Sequence, residues 1–180
     1  MSTDVVGYSR HIAEDETGTL TALKATRREV LEPAVAARRG RMVKLMGDGA
    51  LVEFASVVDA LECAVTIQHG MKNRNATAAG TPGEPRLQLR IGINLGDVIV
   101  DSDPGGTEDI FGDGVNIAAR LQELAEPGGI VVSHTVVNHV RNKVALGFVA
   151  RGERQLKNIR GIRRRRPPPR PSVIPSAKYS

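Results

Sequence analysis

Residues 42–54 constrain the fold more than any other segment, because they are typical of two short strands joined by a tight turn. Apolar side chains dominate both halves, and Gly47-Asp48-Gly49 lies between them. Glycine supplies the positive φ that such turns need. The segment therefore predicts a β-hairpin with Asp48 at its tip, a place where aspartate most often serves as a turn former.

Strand patterns recur on both sides of this hairpin. Alternating or uniformly apolar runs predict strands at 2–7, at 87–93 with 97–101 as its hairpin partner, at 130–132 and at 147–149.

Helical patterns separate these strands. The acidic residues of 14–17 favour a helix start, and apolar spacing carries that helix toward Arg38, with Pro33 expected to bend or break it. Further helices are predicted at 57–72, from Phe111 or Gly114 to about Ala125, and at 135–140. Residues 75–85 are rich in Ala, Thr, Gly and Pro and predict a mobile surface loop, as do 102–106.

The order of these elements predicts the fold class. A βαββαβ succession followed by more strands and a helix indicates an α+β sandwich with a ferredoxin-like core and additional C-terminal elements. The 180 residues suffice for one domain with a proper core and are too few for two. We predict a domain over 1–159 and a basic, proline-rich, disordered tail over 160–180, because like charges repel and proline cannot donate to a sheet.

The charge of the chain is concentrated in that tail. Residues 160–180 hold seven basic and no acidic side chains, so the rest of the chain carries 18 basic and 20 acidic groups. A nucleic-acid groove needs a spread basic face, and the body of the chain lacks the excess that would supply one. We therefore expect no nucleic-acid partner.

The remaining composition favours a cytoplasmic protein. No run of about 18 apolar residues predicts a membrane span, and the N-terminus lacks the basic-then-apolar pattern of a signal peptide. Cys63 is the single cysteine, which excludes an internal disulfide and fits a reducing compartment. It lies in an apolar helical stretch and is predicted to belong to the core.

Four blocks of the sequence together resemble the catalytic domain of class III nucleotidyl cyclases. They are DVVGYS at 4–9, VKLMGD at 43–48, LRIGINLGDV at 89–98 and DIFGDGVNIAARL at 109–121, and they occur in the family's order. The last block is the most specific. The resemblance extends from Thr3 to Ile159 and implies that Asp4 and Asp48, each placed after a short apolar run, have a role beyond turn formation.

The resemblance implies a two-metal active site. A cyclase joins the 3′-oxygen of a nucleoside triphosphate to its own α-phosphorus and expels pyrophosphate, for which two Mg²⁺ or Mn²⁺ ions are suited. Asp4 and Asp48 are the expected carboxylate ligands, with the Val5 carbonyl as a further oxygen ligand. The helix start at Gly7, Tyr8 and Ser9 is then the expected seat of phosphate groups.

The same resemblance assigns the contacts to the nucleotide. Lys44 and Asp109 correspond to the residues that read the base, and a lysine donor beside a carboxylate acceptor suits adenine rather than guanine. Asn116 and Arg120 lie four residues apart on one helix face and correspond to the ribose-orienting and α-phosphate-stabilising residues. Two more matched positions, Arg90 and the more loosely aligned Lys157, are expected to contact the triphosphate.

One chain carries both halves of this site, although the family forms each site from two subunits, so the resemblance implies a homodimer with two shared sites. The leading prediction is an adenylate cyclase making cyclic AMP. Three alternatives remain open: a guanylate cyclase, a non-catalytic nucleotide-binding or dimerisation domain, and a nucleic-acid-binding protein that uses the basic tail.

The chain departs from the family at both ends. Only three residues precede Asp4, so we expect a clipped first strand that frays and weakens metal binding there. The expected last apolar strand is replaced by the Arg- and Pro-rich 160–180 segment. We interpret this end as a truncation or frame change, with binding to acidic lipid or to a partner groove as the alternative.

Overall fold

The computed structural model describes residues 1–78, 85–102, 108–150 and 172–174, and the side chains within them except those of 100–111 and 172–174. Lys157 and the predicted loop residues 79–84 and 103–107 lie outside the described residues.

An antiparallel four-stranded sheet forms the centre of the fold. Its strands are β1 (Ser2–Val5), β2 (Arg41–Met46), β3 (Gly49–Glu53) and β4 (Leu89–Ile93), in the spatial order β2-β3-β1-β4. This is the strand order of a ferredoxin-like core. The α+β, ferredoxin-like prediction is confirmed, and so is the hairpin, whose turn residue Gly47 has a φ of 57°.

The first strand is paired on both of its edges. Ser2 stands opposite Leu51 of β3 and Gly92 of β4. The pairing extends to Met1, whose carbonyl accepts a hydrogen bond of 2.9 Å from the Val52 amide. The residues that precede Asp4 are therefore paired with β3 on one side and with β4 on the other. This pairing fixes the position of Asp4 near the end of β1.

Two helical segments complete this core and pack against each other in one layer. The first is made of α1 (Tyr8–Glu14), α2 (Glu16–Thr26), a π-helical segment (Arg27–Leu31) and α3 (Glu32–Ala37); the second is α4 (Val57–Ala78). The predicted start at 14–17 is confirmed, because Asp15 caps α2 by accepting the Gly18 amide at 2.9 Å.

Two helix predictions need correction. Pro33 does not break its helix; the chain instead forms one π-helical turn before it, which accommodates the proline, and continues as α3. The helix predicted at 57–72 runs to Ala78, so the first residues of the predicted 75–85 loop are helical. Asn75 anchors this end, because its side-chain amide donates to the Leu87 carbonyl at 2.8 Å.

The partner predicted for the strand at 87–93 is also wrong. Residues of 97–101 do not pair with β4. Instead β5 (Ile99–Ser102) pairs with β6 (Glu108–Phe111) as a separate two-stranded sheet, while β4 lies between β1 and β7 (Ile130–Val132). The β4–β7 pair is parallel, and α5 (Asp113–Glu123) forms the crossover that a parallel connection requires.

The C-terminal part extends the sheet. After α6 (His134–Val140), β8 (Val149–Ala150) and β9 (Ser172–Ile174) complete the order β2-β3-β1-β4-β7-β9-β8. Of the predicted disordered tail, the structure describes only Ser172–Ile174, and these pair with β7 as a strand, which corrects the prediction there. Two consecutive β-branched residues, Val173 and Ile174, favour this conformation. The rest of 160–180 lies outside the described residues.

The sheet separates two apolar clusters. In β7, Ile130 and Val132 pack with α4 and α6 in the main core, whereas Val131 packs with Leu121 of α5 on the opposite face. Gly92 permits this second packing, since a β-carbon there would come within 2.1 Å of the Ala118 carbonyl oxygen of α5. The fold thereby fixes α5 directly over β4.

Cys63 is a core residue, as predicted. It is fully buried, and burial raises the pKa of its thiol to about 11. The thiol is therefore neutral at physiological pH and packs as a small apolar group. Among the described residues, no helix is both long and apolar enough to cross a bilayer.

Candidate functional site

The end of β1 and the turn between β2 and β3 meet at one edge of the sheet, which is the edge formed by strand ends and not by an outer strand. Gly49 allows the approach, because a β-carbon there would lie 2.3 Å from the Thr3 carbonyl oxygen. The backbone amide of Val5 donates to Asp48 Oδ2 at 3.3 Å. Asp4, the residue before Val5, and Asp48 are thus brought to the same edge.

A basic side chain supports this turn from the helical layer. Arg27, in the π-helical segment, donates from its guanidinium to the Gly47 carbonyl. Gly47 directly precedes Asp48, so the contact restrains the backbone from which the Asp48 carboxylate projects. Arg27 was not predicted from the sequence. No local pattern could have done so, since 20 residues separate the two groups.

Arg90 is the group closest to the first carboxylate. It stands directly opposite Asp4 in the antiparallel β1–β4 pair. Its Nε donates to Asp4 Oδ1 at 3.0 Å and its Nη2 donates to Asp4 Oδ2 at 2.5 Å. The hydrogen bonds to Asp4 raise the pKa of Arg90 further above its usual range, so the guanidinium is a fixed positive charge.

The donor set fits hard divalent cations. Carboxylate oxygens of Asp4 and Asp48, with the adjacent backbone at Val5, are oxygen ligands of the kind that Mg²⁺ and Mn²⁺ prefer. Within the part of the chain that the structure describes, no three or more His, Cys, Asp or Glu side chains cluster as an alternative centre. Two carboxylates leave further coordination positions to phosphate oxygens and water.

The helix that follows Val5 begins where the phosphate seat was predicted. Gly7 adopts a left-handed conformation with φ 65° and precedes the first residue of α1, Tyr8. The Gly7 carbonyl accepts the amides of Arg10 and His11 at 3.0 and 3.1 Å. Tyr8 packs partly on the core while Gly7 and Ser9 are exposed, so the backbone of this turn faces solvent next to Asp4.

The predicted base-reading residues lie on neighbouring strands. Lys44 is exposed on β2 just after a bulge in the β2–β3 pairing, and β6, which carries Asp109, packs against β2. The backbone of Asp109 pairs with Asp101 of β5, whereas its side chain lies outside the described residues. The fold therefore places the two positions on strands of two different sheets that contact each other.

The remaining site residues lie on α5. Asn116 is exposed, and Arg120, one turn later, is half-exposed and 3.6 Å from the carboxylate of Glu123. Glu123 also contributes to the raised pKa of Arg90. A series of alternating charges therefore runs from Arg120 through Glu123 and Arg90 to Asp4. Glu123 was not identified from the sequence.

Comparison with known proteins gives one consistent result. The family model "Adenylate and Guanylate cyclase catalytic domain" matches residues 1–166. "Putative adenylate cyclase 3" of Rhizobium meliloti is 43% identical over 159 residues, which are 88% of this chain and 26% of that protein. The chain thus spans about a quarter of the length of this curated relative.

Solved structures have the same fold. The adenylate/guanylate cyclase/hydrolase from Silicibacter pomeroyi is 40% identical with a TM-score of 0.80, over 96% of this chain and 92% of that one. The adenylyl cyclase CyaB from P. aeruginosa, at 22% identity and a TM-score of 0.77 over 98% and 93% of the two chains, is similar in fold.

The contact between Arg27 and Gly47 yields a testable prediction. In Arg27→Ala the turn loses a restraint, so we expect the Val5 amide, which is bonded to the Asp48 side chain, to exchange with solvent roughly three- to tenfold faster. Amide hydrogen exchange by NMR measures this. Arg28→Ala, which removes a neighbouring exposed arginine paired with Glu29, is the control and should leave the Val5 rate unchanged. Equal rates in Arg27→Ala and wild type would refute the restraint.

Proposed function

The chain belongs to the family of adenylate and guanylate cyclase catalytic domains, and we propose that it converts ATP to 3′,5′-cyclic AMP and pyrophosphate for intracellular signalling. The observation that carries this proposal is the joining of β1 to the β2–β3 turn, which brings Asp4 and Asp48 to one edge. In the described part of the chain, two carboxylates, an exposed helix start and a fixed arginine lie near one another there.

Asp4 and Asp48 would hold two Mg²⁺ or Mn²⁺ ions, with the Val5 carbonyl as an additional ligand. Bound there, the ions would acidify the ribose 3′-hydroxyl and neutralise the β- and γ-phosphates. The protein's own part is to fix the two carboxylates. Pairing of β1 on both edges and the Val5–Asp48 hydrogen bond supply that rigidity.

Several residues would orient and stabilise the triphosphate. The backbone of Gly7, Tyr8 and Ser9 would bind phosphate oxygens at the start of α1. Asn116 would orient the ribose, and Arg120 would stabilise the negative charge that develops on the α-phosphate during attack. Lys157, outside the described residues, stays a proposed further phosphate contact.

Lys44 and Asp109 would select adenine over guanine. A lysine donates to adenine N1 while a carboxylate accepts from the exocyclic amine. Guanine has an N–H donor at N1 and a carbonyl acceptor in place of that amine, so both contacts would be mismatched. A buried polar group left unpaired by the wrong base costs several orders of magnitude in discrimination. The adjacency of β2 and β6 supports a shared role for the two residues.

We propose that the site is completed by a second copy of the chain. The metal-binding edge of one subunit would face Lys44, Asp109, Asn116 and Arg120 of the other, giving two sites related by a two-fold axis. Exposed apolar side chains on and near these elements support such a surface, among them Leu45 at 49%, Met46 at 42% and Ile99 at 68% exposure.

A second candidate function is that of a nucleotide-binding domain that binds ATP without converting it to product. The observation in its favour is that Arg90 engages both oxygens of Asp4. For either candidate we propose a domain over 1–159, with 160–180 outside the catalytic unit, and a cytoplasmic location where ATP is available. Activity measurements separate the two.

The central test is a cyclase assay with Mn²⁺-ATP and, in parallel, Mn²⁺-GTP. We expect wild type to form cyclic AMP, and Asp48→Ala to lose about a hundredfold or more of the rate, because one ligand of the proposed ions is gone. Asp59→Ala is the matched control, since Asp59 is about as exposed as Asp4 and pairs with Arg39 rather than with a proposed site residue. Binding of ATP without product in wild type would establish the second candidate, and cyclic GTP as main product would establish a guanylate cyclase.

The shared-site proposal predicts complementation between inactive variants. Asp48→Ala breaks the metal-binding half and Arg120→Ala breaks the ribose and α-phosphate half. In an equimolar mixture, mixed dimers contain one site with both halves intact, so we expect about a quarter of the wild-type rate. A mixture as inactive as its separate components would mean that each chain builds its own site.

A further inference from the structure

Arg90 and Asp4 form the best-defined ion pair of the candidate site. The two residues are register partners, so neither backbone has to move for the side chains to meet. The guanidinium donates to both carboxylate oxygens, at 3.0 and 2.5 Å, and the side chains are only 27% and 23% exposed. A two-pronged arginine–carboxylate pair of this kind is among the stronger side-chain interactions in proteins.

We propose that Arg90 is the counter-cation of Asp4 in the free protein and transfers from Asp4 to the triphosphate when nucleotide and metal bind together. Arg90 then makes metal binding at Asp4 dependent on nucleotide. This inference rests on the proposed cyclase function and concerns how the same site is filled.

Arg90 and a divalent cation would compete for Asp4 because both are positively charged. A divalent cation on Asp4 would lie within a few ångströms of the guanidinium, in a site shielded from much of the solvent, where like charges repel strongly. The guanidinium cannot lose its proton to relieve this repulsion. A cation therefore binds Asp4 well only after the arginine has moved away.

A triphosphate gives Arg90 another partner. It carries several negative charges and accepts the same forked donors as a carboxylate. The neighbouring acids Asp48 and Glu123 also act on Arg90, from the β2–β3 turn and from α5, so Asp4 is not the sole negative charge near the guanidinium. The β1–β4 backbone pairing does not depend on the side-chain pair, so the sheet stays intact during the exchange.

Three possible roles for Arg90 predict different results for one measurement. That measurement is the change in affinity for metal, in the absence of nucleotide, when Arg90 is removed. If Arg90 competes with the cation, its removal raises that affinity. If Arg90 only steadies Asp4 for the cation, its removal lowers the affinity. If Arg90 contacts only phosphate, its removal leaves the nucleotide-free affinity unchanged.

The experiment measures Mn²⁺ binding to the full chain by electron paramagnetic resonance, with and without a non-hydrolysable ATP analogue. We expect Arg90→Gln to bind Mn²⁺ alone roughly three- to tenfold more tightly than wild type. In wild type the analogue should tighten Mn²⁺ binding, and in Arg90→Gln that effect should shrink. Arg41→Gln is the matched control, because Arg41 pairs with Glu53 in the same sheet and its loss removes the same charge; it should resemble wild type.

Arg90→Lys covers the case in which Arg90→Gln does not fold, as judged by thermal unfolding. Lysine keeps the charge and loses the fork, so we expect an affinity for Mn²⁺ alone between those of wild type and Arg90→Gln. Unchanged or weaker nucleotide-free binding in the folded variants overturns the exchange. If wild type binds no Mn²⁺ even with the analogue, the proposed function itself fails, which is a different result.

Discussion

The pairing of β1 between β3 and β4 is the constraint on which the candidate site depends. The β3 side joins β1 to the hairpin turn, where Gly49 lies against the Thr3 carbonyl and Asp48 accepts the Val5 amide. The β4 side places Arg90 opposite Asp4. A one-residue shift of β1 would turn Asp4 to the other face of the sheet and break the whole arrangement. The register of this one strand therefore sets the chemistry.

Charge balance explains why these groups lie together. Two carboxylates at one edge repel each other unless a positive charge lies between or beside them. In the free protein Arg90 supplies that charge for Asp4, and the proposed ions would supply it during the reaction. Arg120 and Glu123 extend the alternation onto α5, the helix whose sequence carries the most specific family motif. Under the proposed exchange, metal and nucleotide would replace the internal counter-charges of the site.

Turn and helix-start patterns in the sequence predicted local structure better than they predicted long-range contacts. The hairpin around Gly47 and the helix start within 14–17 were predicted because each depends on a few adjacent residues. The pairing of β5 with β6 was missed, since 97–101 reads equally well as a partner of β4. The resemblance identified Asp4, Asp48 and Arg90, but not that Arg90 holds Asp4 or that Arg27 restrains the turn. Those contacts join residues 86 and 20 positions apart, and only the folded chain reveals them.

The most direct test of the account is a crystal structure of the chain with Mn²⁺ and a non-hydrolysable ATP analogue. We predict ions coordinated by Asp4 and Asp48, the Arg90 guanidinium on phosphate oxygens, and the base against Lys44 of a second subunit. A structure in which Asp4 still pairs with Arg90 and the ions are bound elsewhere would contradict the central claim. That claim is that this edge of the sheet is the metal centre of a cyclase.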